Sequence, residues 1–219
     1  MKSENGLKMD VFSPRYIVGV DEAGRGPLAG PVAVGAVVVS HDFDWALLPG
    51  VDDSKRVPAV ERLRIYGEAK ALKASGVLDY AVSLVAPSVI DRAGIVRAVA
   101  RGISRSLSKL ALDPTLVEVR LDGLLRAPRA YGFQRTIVGG DGLEKVIGLA
   151  SIMAKVTRDR FMERVARRYP HYGFDAHKGY GTPEHRKAIL EHDLCPLHRR
   201  SYCTRFTVQN GLVEILDEV

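Results

Sequence analysis

The sequence predicts an α/β fold, because strand-like runs and helix-like stretches alternate along its 219 residues. Five runs are short, rich in apolar residues and bounded by residues that favour turns. Longer stretches repeat apolar residues every three or four positions, as helices packed by one face do. A hydrophobic content of 46% is enough for one well-buried core. We therefore expect a single domain over residues 1–219, with a core over roughly 16–170 and a helical or loop segment over roughly 171–219.

The first two strands enclose a glycine-rich turn. Residues 17–20 form a short apolar run, and residues 32–39 form an unbroken run of Val, Ala and Gly, which is typical of a strand covered on both faces. Asp21 and Glu22 lie between them, before the glycines of residues 24–30. Because neighbouring side chains on a strand point to opposite faces, we expect the strand to lose its regularity at these two acids. Such acids solvate a turn, cap a helix or bind a hard cation.

Helical spacing marks four further segments. Residues 58–75 carry apolar side chains at helical intervals and precede a glycine, and residues 87–110 have helical character with a break at Gly94. Residues 145–168 have an apolar stripe along one face. A Thr-Pro pair opens the last of these helices, over residues 182–191.

Three more strands are predicted at residues 78–85, 116–121 and 133–138. The second delivers Asp122 at its end, and the third is followed by a glycine-rich turn that contains Asp141. A strand that ends in Asp-Gly ordinarily marks a turn. Three acidic strand ends in one chain favour a shared site, because ligands of sheets flanked by helices gather at the strand ends.

Composition limits the classes of partner and compartment. The formal net charge of +6 is compatible with a polyanionic partner and does not require one. No apolar run approaches the roughly 20 residues that span a bilayer, and the first residues lack a hydrophobic signal core, so we expect a cytoplasmic protein with no membrane association. Cys195 and Cys203 are expected to be reduced thiols; with His192 and His198 they invite a zinc hypothesis, but their spacing matches no common zinc finger.

Four motifs, in order, resemble those of the ribonuclease HII family. They are DEAGRGP at residues 21–27, ASIMAKVTRD at 150–159, HKGY at 177–180 and HRRSY at 198–202. The resemblance implies an RNase H-like fold, in which a central mixed five-stranded sheet is flanked by helices and followed by a small C-terminal helical extension.

The resemblance also implies an activity. Family members are endonucleases that hydrolyse the RNA strand of RNA/DNA hybrids and cut 5′ to a single ribonucleotide in duplex DNA, leaving 5′-phosphate and 3′-hydroxyl ends. This activity serves RNA primer removal in DNA replication and ribonucleotide excision repair. Two alternatives stay open: a resolvase-like or integrase-like DNA nuclease on the same fold, and a hybrid-binding module without catalysis. A phosphate-cradling nucleotide enzyme is disfavoured, because no Gly-Lys-Ser/Thr follows the turn.

The predicted catalytic residues are four carboxylates, Asp21, Glu22, Asp122 and Asp141, which we also expect to be metal ligands. Oxygen ligands without a His or Cys cage favour Mn²⁺ or Mg²⁺, and two such ions can promote phosphodiester hydrolysis. Asp141 takes the fourth position by its place in the family pattern, as ligand or proton handler.

The remaining site residues are predicted to contact the substrate, an RNA/DNA hybrid or ribonucleotide-containing duplex. The resemblance implies that Gly24, Arg25 and Gly26 act with Tyr180 in recognising the ribonucleotide. The expected phosphate contacts are Lys55, Ser151, Lys155, Lys178 and Arg199. We expect a monomer. Some relatives carry a sliding-clamp peptide at the C-terminus, but residues 206–219 lack the aromatic pair of such peptides and are predicted to form a small packing helix.

Overall fold

A computed structural model describes residues 14–205, and its centre is one five-stranded sheet ordered β3-β2-β1-β4-β5. The strands are β1 (Tyr16–Ala23), β2 (Val32–Ser40), β3 (Asp79–Val85), β4 (Val117–Asp122) and β5 (Gln134–Ile137). β1 pairs antiparallel with β2 and parallel with β4. β2 pairs antiparallel with β3, and β4 pairs parallel with β5. The predicted mixed five-stranded sheet is therefore confirmed.

Helices cover both faces of this sheet. They are α1 (Ala59–Ala74), α2 (Pro87–Ala93), α3 (Ile95–Leu110), α4 (Gly140–Leu143), α5 (Lys145–Ala166), α6 (Phe174–His177) and α7 (Pro183–His192). The predicted break at Gly94 is confirmed, and its φ of 78° is the conformation that glycine adopts readily. Thr182 caps α7, because its hydroxyl accepts a hydrogen bond from the His185 N–H at 3.3 Å.

Two apolar layers lie on opposite faces of the sheet. Val18 and Val20 face α3, which contributes Val99 and Ile103 to the same buried cluster. The other face of β1 and β2 packs against α1 and α5. As predicted, β2 is buried on both faces.

Helix α5 lies directly on the backbone of the two central strands. A Cβ atom on Gly19 would lie 2.2 Å from the carbonyl oxygen of Val146, and one on Gly35 would lie 2.4 Å from that of Ala150. Glycine is therefore required at both positions for this close approach. The contact brings the middle of α5, and with it Ser151, against the end of β1.

A third buried cluster joins the C-terminal part of the described chain to the end of α5 and to the turn after β1. It includes Ala29, Met162, Phe174 and Cys203. Ala29 also forms a short β-bridge with His198. The tail helix predicted for residues 206–219 lies outside the described residues, and between residues 14 and 205 no helix has the length and apolarity to cross a bilayer.

One sequence expectation is wrong at the end of β1. The strand stays regular through Asp21 and Glu22, which pair with Gly35 and Val34 of β2, and its regularity ends only at Gly24, whose φ is 89°. The physical reason is that β2 continues the ladder past the two acids and holds them extended. Alternation therefore directs Asp21 toward α5 and Glu22 toward the opposite face, but at this strand end the Glu22 carboxylate stays close enough for its charge to raise the pKa of Asp21.

Candidate active site

Asp21 and Asp122 are neighbours at the carboxyl ends of two parallel strands. The β1–β4 register pairs Val20 with Leu121, so the next residue on each strand is one of these acids. Val117, Val119 and Leu121 fill the core on the α3 side, so alternation puts Asp122 on the α5 side, with Asp21. The structure thus brings together two acids that lie about a hundred residues apart.

Asp141 joins them through the single turn of α4. The N–H of Gly140 donates a hydrogen bond of 2.8 Å to Oδ1 of Asp122, which fixes the start of α4 against the end of β4. Asp141 is buried, and burial together with the charges of Asp53 and Asp122 raises the pKa of its carboxyl. Sequence reasoning missed Asp53, and the only signal was its place in the acidic Asp-Asp pair of a polar loop.

The electrostatics of Asp21 show how crowded these carboxylates are. Burial is the main cause that raises its pKa to about 8, and the charges of Glu22 and Asp122 add to it. The Ser151 hydroxyl opposes this shift by hydrogen bonding to the carboxylate. Ser151 in turn lies 2.8 Å from the hydroxyl of Ser54. The hydrogen bond from Ser151 is therefore too weak to keep Asp21 ionised, and its negative charge needs a nearby positive charge as well.

Ser151 is one of two residues expected to contact phosphate whose side chains the structure places in the interior. Its side chain is buried and bonded to Ser54, so it supports Asp21 from within the protein. The reason is the close approach of α5 to the sheet, which turns this face of the helix inward.

Lys55 brings a positive charge to the acids. Its Nζ lies 3.6 Å from Oδ2 of Asp141, and its side chain is 84% exposed. Partial burial acts to lower the pKa of Lys55, but the surrounding carboxylates, led by Asp141 and Asp53, outweigh burial and raise it. Lys55 therefore stays protonated beside the acids and, being exposed, is also accessible to a substrate phosphate.

Glu22 has an unused ligand atom. Its Oε1 accepts a hydrogen bond of 3.0 Å from Arg25, whereas its Oε2 is buried without a hydrogen-bond partner. An unpaired buried carboxylate oxygen is costly unless a cation or donor meets it.

These donors fit a hard divalent cation, because all are oxygens and carry more negative charge than Lys55 balances. Within residues 14–205, however, no group of three or more Asp, Glu, His or Cys side chains is placed so that it could hold a metal ion.

Arg199 is the second expected phosphate contact that lies in the interior. Its guanidinium is buried under the turn after β1 instead of lying on the surface where a phosphate would bind. It donates to the carbonyl oxygens of Gly24 and Arg25, at 2.6 Å each, and to that of Gly30 at 3.0 Å. The reason is that residues 197–199 pair with the turn itself, which draws the side chain inside.

The other predicted substrate residues lie near the same turn. Tyr180 is 44% exposed, and the Nζ of Lys155 lies 5.9 Å from the centre of its ring. Lys155 pairs with Asp159 at 2.9 Å, and Lys178 pairs with Glu163 at 2.9 Å. Tyr180 and Lys155 therefore form one aromatic and basic surface.

The cysteine and histidine group near the C-terminus is used for internal hydrogen bonds. The N–H of Cys195 donates to Nδ1 of His198 at 3.0 Å, and Nε2 of His198 lies 3.0 Å from Nε2 of His185. His185 reaches the carbonyl oxygen of Tyr180 through Nδ1 at 2.8 Å. Burial is the main cause that lowers the pKa of both histidines to about 4. Two neutral imidazoles therefore connect this segment to the backbone of Tyr180.

The fold and this group of acids define a nuclease of the RNase H-like class. The family model described as ribonuclease HII matches residues 18–205. The chain is 44% identical over 195 residues to the ribonuclease HII of Burkholderia thailandensis, covering 89% of this chain and 86% of that protein. It is 42% identical over 191 residues to that of Ruminiclostridium cellulolyticum, covering 87% and 71%. The crystal structure of ribonuclease H2 from Pyrococcus horikoshii superposes with a TM-score of 0.66 at 27% identity, covering 85% of this chain and 93% of that one.

The chain belongs to the ribonuclease HII family. It is therefore a metal-dependent hydrolase, an endonuclease that acts on the RNA strand of RNA/DNA hybrids. The resemblance read from the four sequence motifs and the fold it implied are both confirmed.

Proposed function

We propose that this enzyme also cuts duplex DNA on the 5′ side of a single embedded ribonucleotide, leaving a 5′-phosphate and a 3′-hydroxyl. One observation carries this proposal. The turn that begins at Gly24 continues directly from the strand that carries Asp21 and Glu22. A backbone able to approach a sugar closely therefore lies two residues from the acids, so selection of the ribose and hydrolysis of its phosphodiester are coupled by one strand.

We further propose that Asp21, Glu22, Asp122 and Asp141 hold two Mn²⁺ or Mg²⁺ ions. The raised pKa of Asp21 and the unpaired Oε2 of Glu22 support this, because both groups gain from a nearby cation. The chemistry supplied by bound divalent cations is activation of the attacking water and stabilisation of the leaving oxygen. The chain's own residues orient the ligands: Ser151 holds Asp21, and the N–H of Gly140 holds Asp122.

Recognition of the ribonucleotide is assigned to the turn and to Tyr180. The 2′-hydroxyl distinguishes RNA from DNA at a given sugar, and glycine backbone at Gly24 and Gly26 permits the close approach that contact with it needs. The exposed ring of Tyr180 offers an apolar face to the neighbouring sugar or base. Lys155 and Lys55 supply positive charge for phosphates on either side, which positions the duplex without reading its sequence.

The cellular role follows from this substrate. We propose that the enzyme removes RNA primers and misincorporated ribonucleotides, that it acts as a monomeric single domain, and that it works in the cytoplasm, where bacterial DNA lies. The sliding-clamp peptide considered for residues 206–219 lies outside the described residues.

Three end-labelled substrates, each incubated with Mn²⁺, test the proposal. They are a duplex with a single ribonucleotide, an all-DNA duplex as control and a four-way DNA junction. We expect one nick, on the 5′ side of the ribonucleotide, and no cleavage of the other two. Cleavage of the junction would favour a resolvase-like enzyme. Binding of the ribonucleotide duplex without cleavage would instead favour a non-catalytic module.

A further inference from the structure

We propose that Arg199 and Arg158 are positioning residues for ribose recognition, whose buried guanidinium groups hold the backbone of the turn over residues 24–31. The inference rests on the proposed role of this turn in sensing the 2′-hydroxyl. The two arginines approach from different parts of the chain. Arg158 comes from α5, and Arg199 comes from the segment after α7.

The contacts of Arg158 complement those of Arg199. Arg158 Nε donates to the carbonyl oxygen of Pro31 at 2.9 Å, and its Nη2 donates to that of Ala29 at 3.1 Å. With the three bonds from Arg199, the two guanidinium groups bind five carbonyl oxygens of one short turn, those of Gly24, Arg25, Ala29, Gly30 and Pro31. The carbonyls are thus drawn inward. Because the N–H groups of Ala29 and Gly30 donate to the carbonyl oxygens of Gly179 and Leu197, the backbone donors proposed for a substrate are the N–H groups of residues 24–26.

The shape of the turn depends on these guanidinium groups. Gly24 has a φ of 89°, and a Cβ atom there would lie 2.0 Å from Nε of Arg158. The backbone of the turn therefore lies flat against the arginine. A guanidinium donates through several N–H groups in one fixed plane, whereas an ammonium group is a point donor on a flexible chain. Lysine at either position would keep the positive charge but would lose the planar set of N–H donors that holds the backbone of the turn.

Burying two guanidinium groups next to each other costs free energy, which argues that the pair serves a function besides stability. Both arginine side chains are completely buried and close enough to interact, and burial followed by the charge of Arg158 lowers the pKa of Arg199 to about 10. Two like charges in the interior are destabilising unless their N–H groups are used. Nη1 of Arg158 is buried without a hydrogen-bond partner, so the pair is not optimised for stability alone.

The same turn is connected to the predicted sugar-stacking residue. The N–H of Ala29 donates to the carbonyl oxygen of Gly179 at 3.2 Å, next to Tyr180. The guanidinium carbon of Arg158 lies 5.7 Å from the centre of the Tyr180 ring. Arg158 therefore contacts both elements assigned to the ribonucleotide. Loosening it should disturb selection of the sugar while leaving the acids in place.

The test compares Arg199→Lys and Arg158→Lys with Arg200→Lys, a matched control because Arg200 is adjacent and exposed. Each substitution is made in the full chain carrying Asp21→Asn, so that substrate is not consumed. Fluorescence anisotropy in Mn²⁺ gives the Kd for a duplex with one ribonucleotide and for the same duplex in all-DNA form. We expect the ratio of the two Kd values to fall about tenfold in the first two variants, the effect of about one charged hydrogen bond, and to be unchanged in the control.

The outcomes separate this inference from the proposed function. If the parent protein shows no preference for the ribonucleotide duplex, the role proposed for the turn is wrong. If the parent shows the preference and folded Arg199→Lys and Arg158→Lys keep it, the positioning role is overturned. A fall in affinity for both duplexes together would also overturn it, because that result describes a phosphate contact.

A milder variant covers the case in which loss of a buried arginine prevents folding. The guanidinium carbon of Arg199 lies 5.2 Å from the centre of the Tyr202 ring. Tyr202→Leu keeps the guanidinium and removes the ring that packs on it, so we expect a smaller fall in the Kd ratio with a cooperative thermal transition retained. An unchanged ratio in Tyr202→Leu, when both lysine variants fail to fold, would count against the inference.

Discussion

Replacing Asp21 by Asn should abolish cleavage and, in metal-free buffer, make the protein more stable. Asn has nearly the same size and still accepts the hydrogen bond that the N–H of Glu22 gives to Asp21 at 2.7 Å. The change therefore removes one charge from a buried group of acids with little change in packing. Loss of activity together with gain of stability is expected where like charges are gathered to hold a cation.

The pKa of Asp21 gives the magnitude. Burial and the neighbouring acids raise it from 3.8 to about 8, so keeping this carboxyl in the folded state costs about 4 kcal/mol at most at pH 7. Allowing for relaxation of the site, we expect Asp21→Asn to gain about 2 kcal/mol, or about 4 to 8 °C in Tm for a chain of this size.

The pH dependence of this gain has a definite sign. A group whose pKa is raised on folding contributes stability below its unfolded pKa and loses it as pH rises through the folded pKa. The difference in stability between variant and wild type should therefore be absent below pH 3.8 and grow until about pH 8.

The assay is thermal unfolding in EDTA at several pH values, followed by the same measurement in Mn²⁺. In Mn²⁺ the wild type should gain more stability than the variant, because a ligand that binds only the folded state stabilises it by mass action. The matched control is Asp42→Asn, an exposed carboxylate outside the site, which should change neither stability nor activity. Equal Tm values for Asp21→Asn and wild type at pH 7 in EDTA, or persistent cleavage, would refute the reasoning.

Three further perturbations test other parts of the structure. Tyr180→Ala should lower kcat/KM about tenfold on a single-ribonucleotide duplex and less on a long hybrid, and an equal loss on both would contradict its stacking role. Burial lowers the pKa of His185 and His198 to about 4, so their contribution to stability is complete above pH 6.5 and is lost as the pH falls toward 4. The Tm of the wild type should therefore fall between pH 6.5 and pH 4, and the Tm of His198→Gln should fall less steeply. Gly19→Ala should lower Tm sharply, because its Cβ would meet the backbone of α5. The control Gly67→Ala lies on an exposed helical face with open space around it and should raise Tm slightly. The reverse order of the two Tm changes would contradict the packing of α5 on β1.

Much of the fold could be predicted because the residues within each helix or strand determine where that element forms and ends. The continuous apolar run of β2 requires burial on both faces, and a glycine with positive φ breaks the helix at Gly94. The end of β1 could not be predicted in this way. Its acids and glycines indicate an early end to the strand, but the pairing of Ala23 with Ala33 extends it, and such pairing is a tertiary effect.

The acids of the site were easier to predict than their supporting residues. Asp122 and Asp141 follow strand-like runs, so their convergence follows from sheet topology. The burial of Ser151 and Arg199 depends on how distant segments dock, and a polar residue within a motif looks the same in sequence whether it faces solvent or the interior. Asp53 was missed for the same reason, because its contact with Asp141 comes from a loop folded across the sheet end.

With the roles proposed here, the catalytic acids and the ribose-sensing turn lie on one strand and its continuation, and each is supported from a different side. Asp21 is held by α5 through Ser151, whereas the turn after Glu22 is held by Arg158 and Arg199. Two residues of extended strand span only about 7 Å, so a nucleotide whose sugar contacts the turn has its phosphate near the acids. A shift of the turn would therefore misplace the phosphate as well as the sugar. If the turn senses the ribose as proposed, we expect its selectivity to depend on rigid support from the two buried arginines, because a mobile turn would accept deoxyribose as readily as ribose.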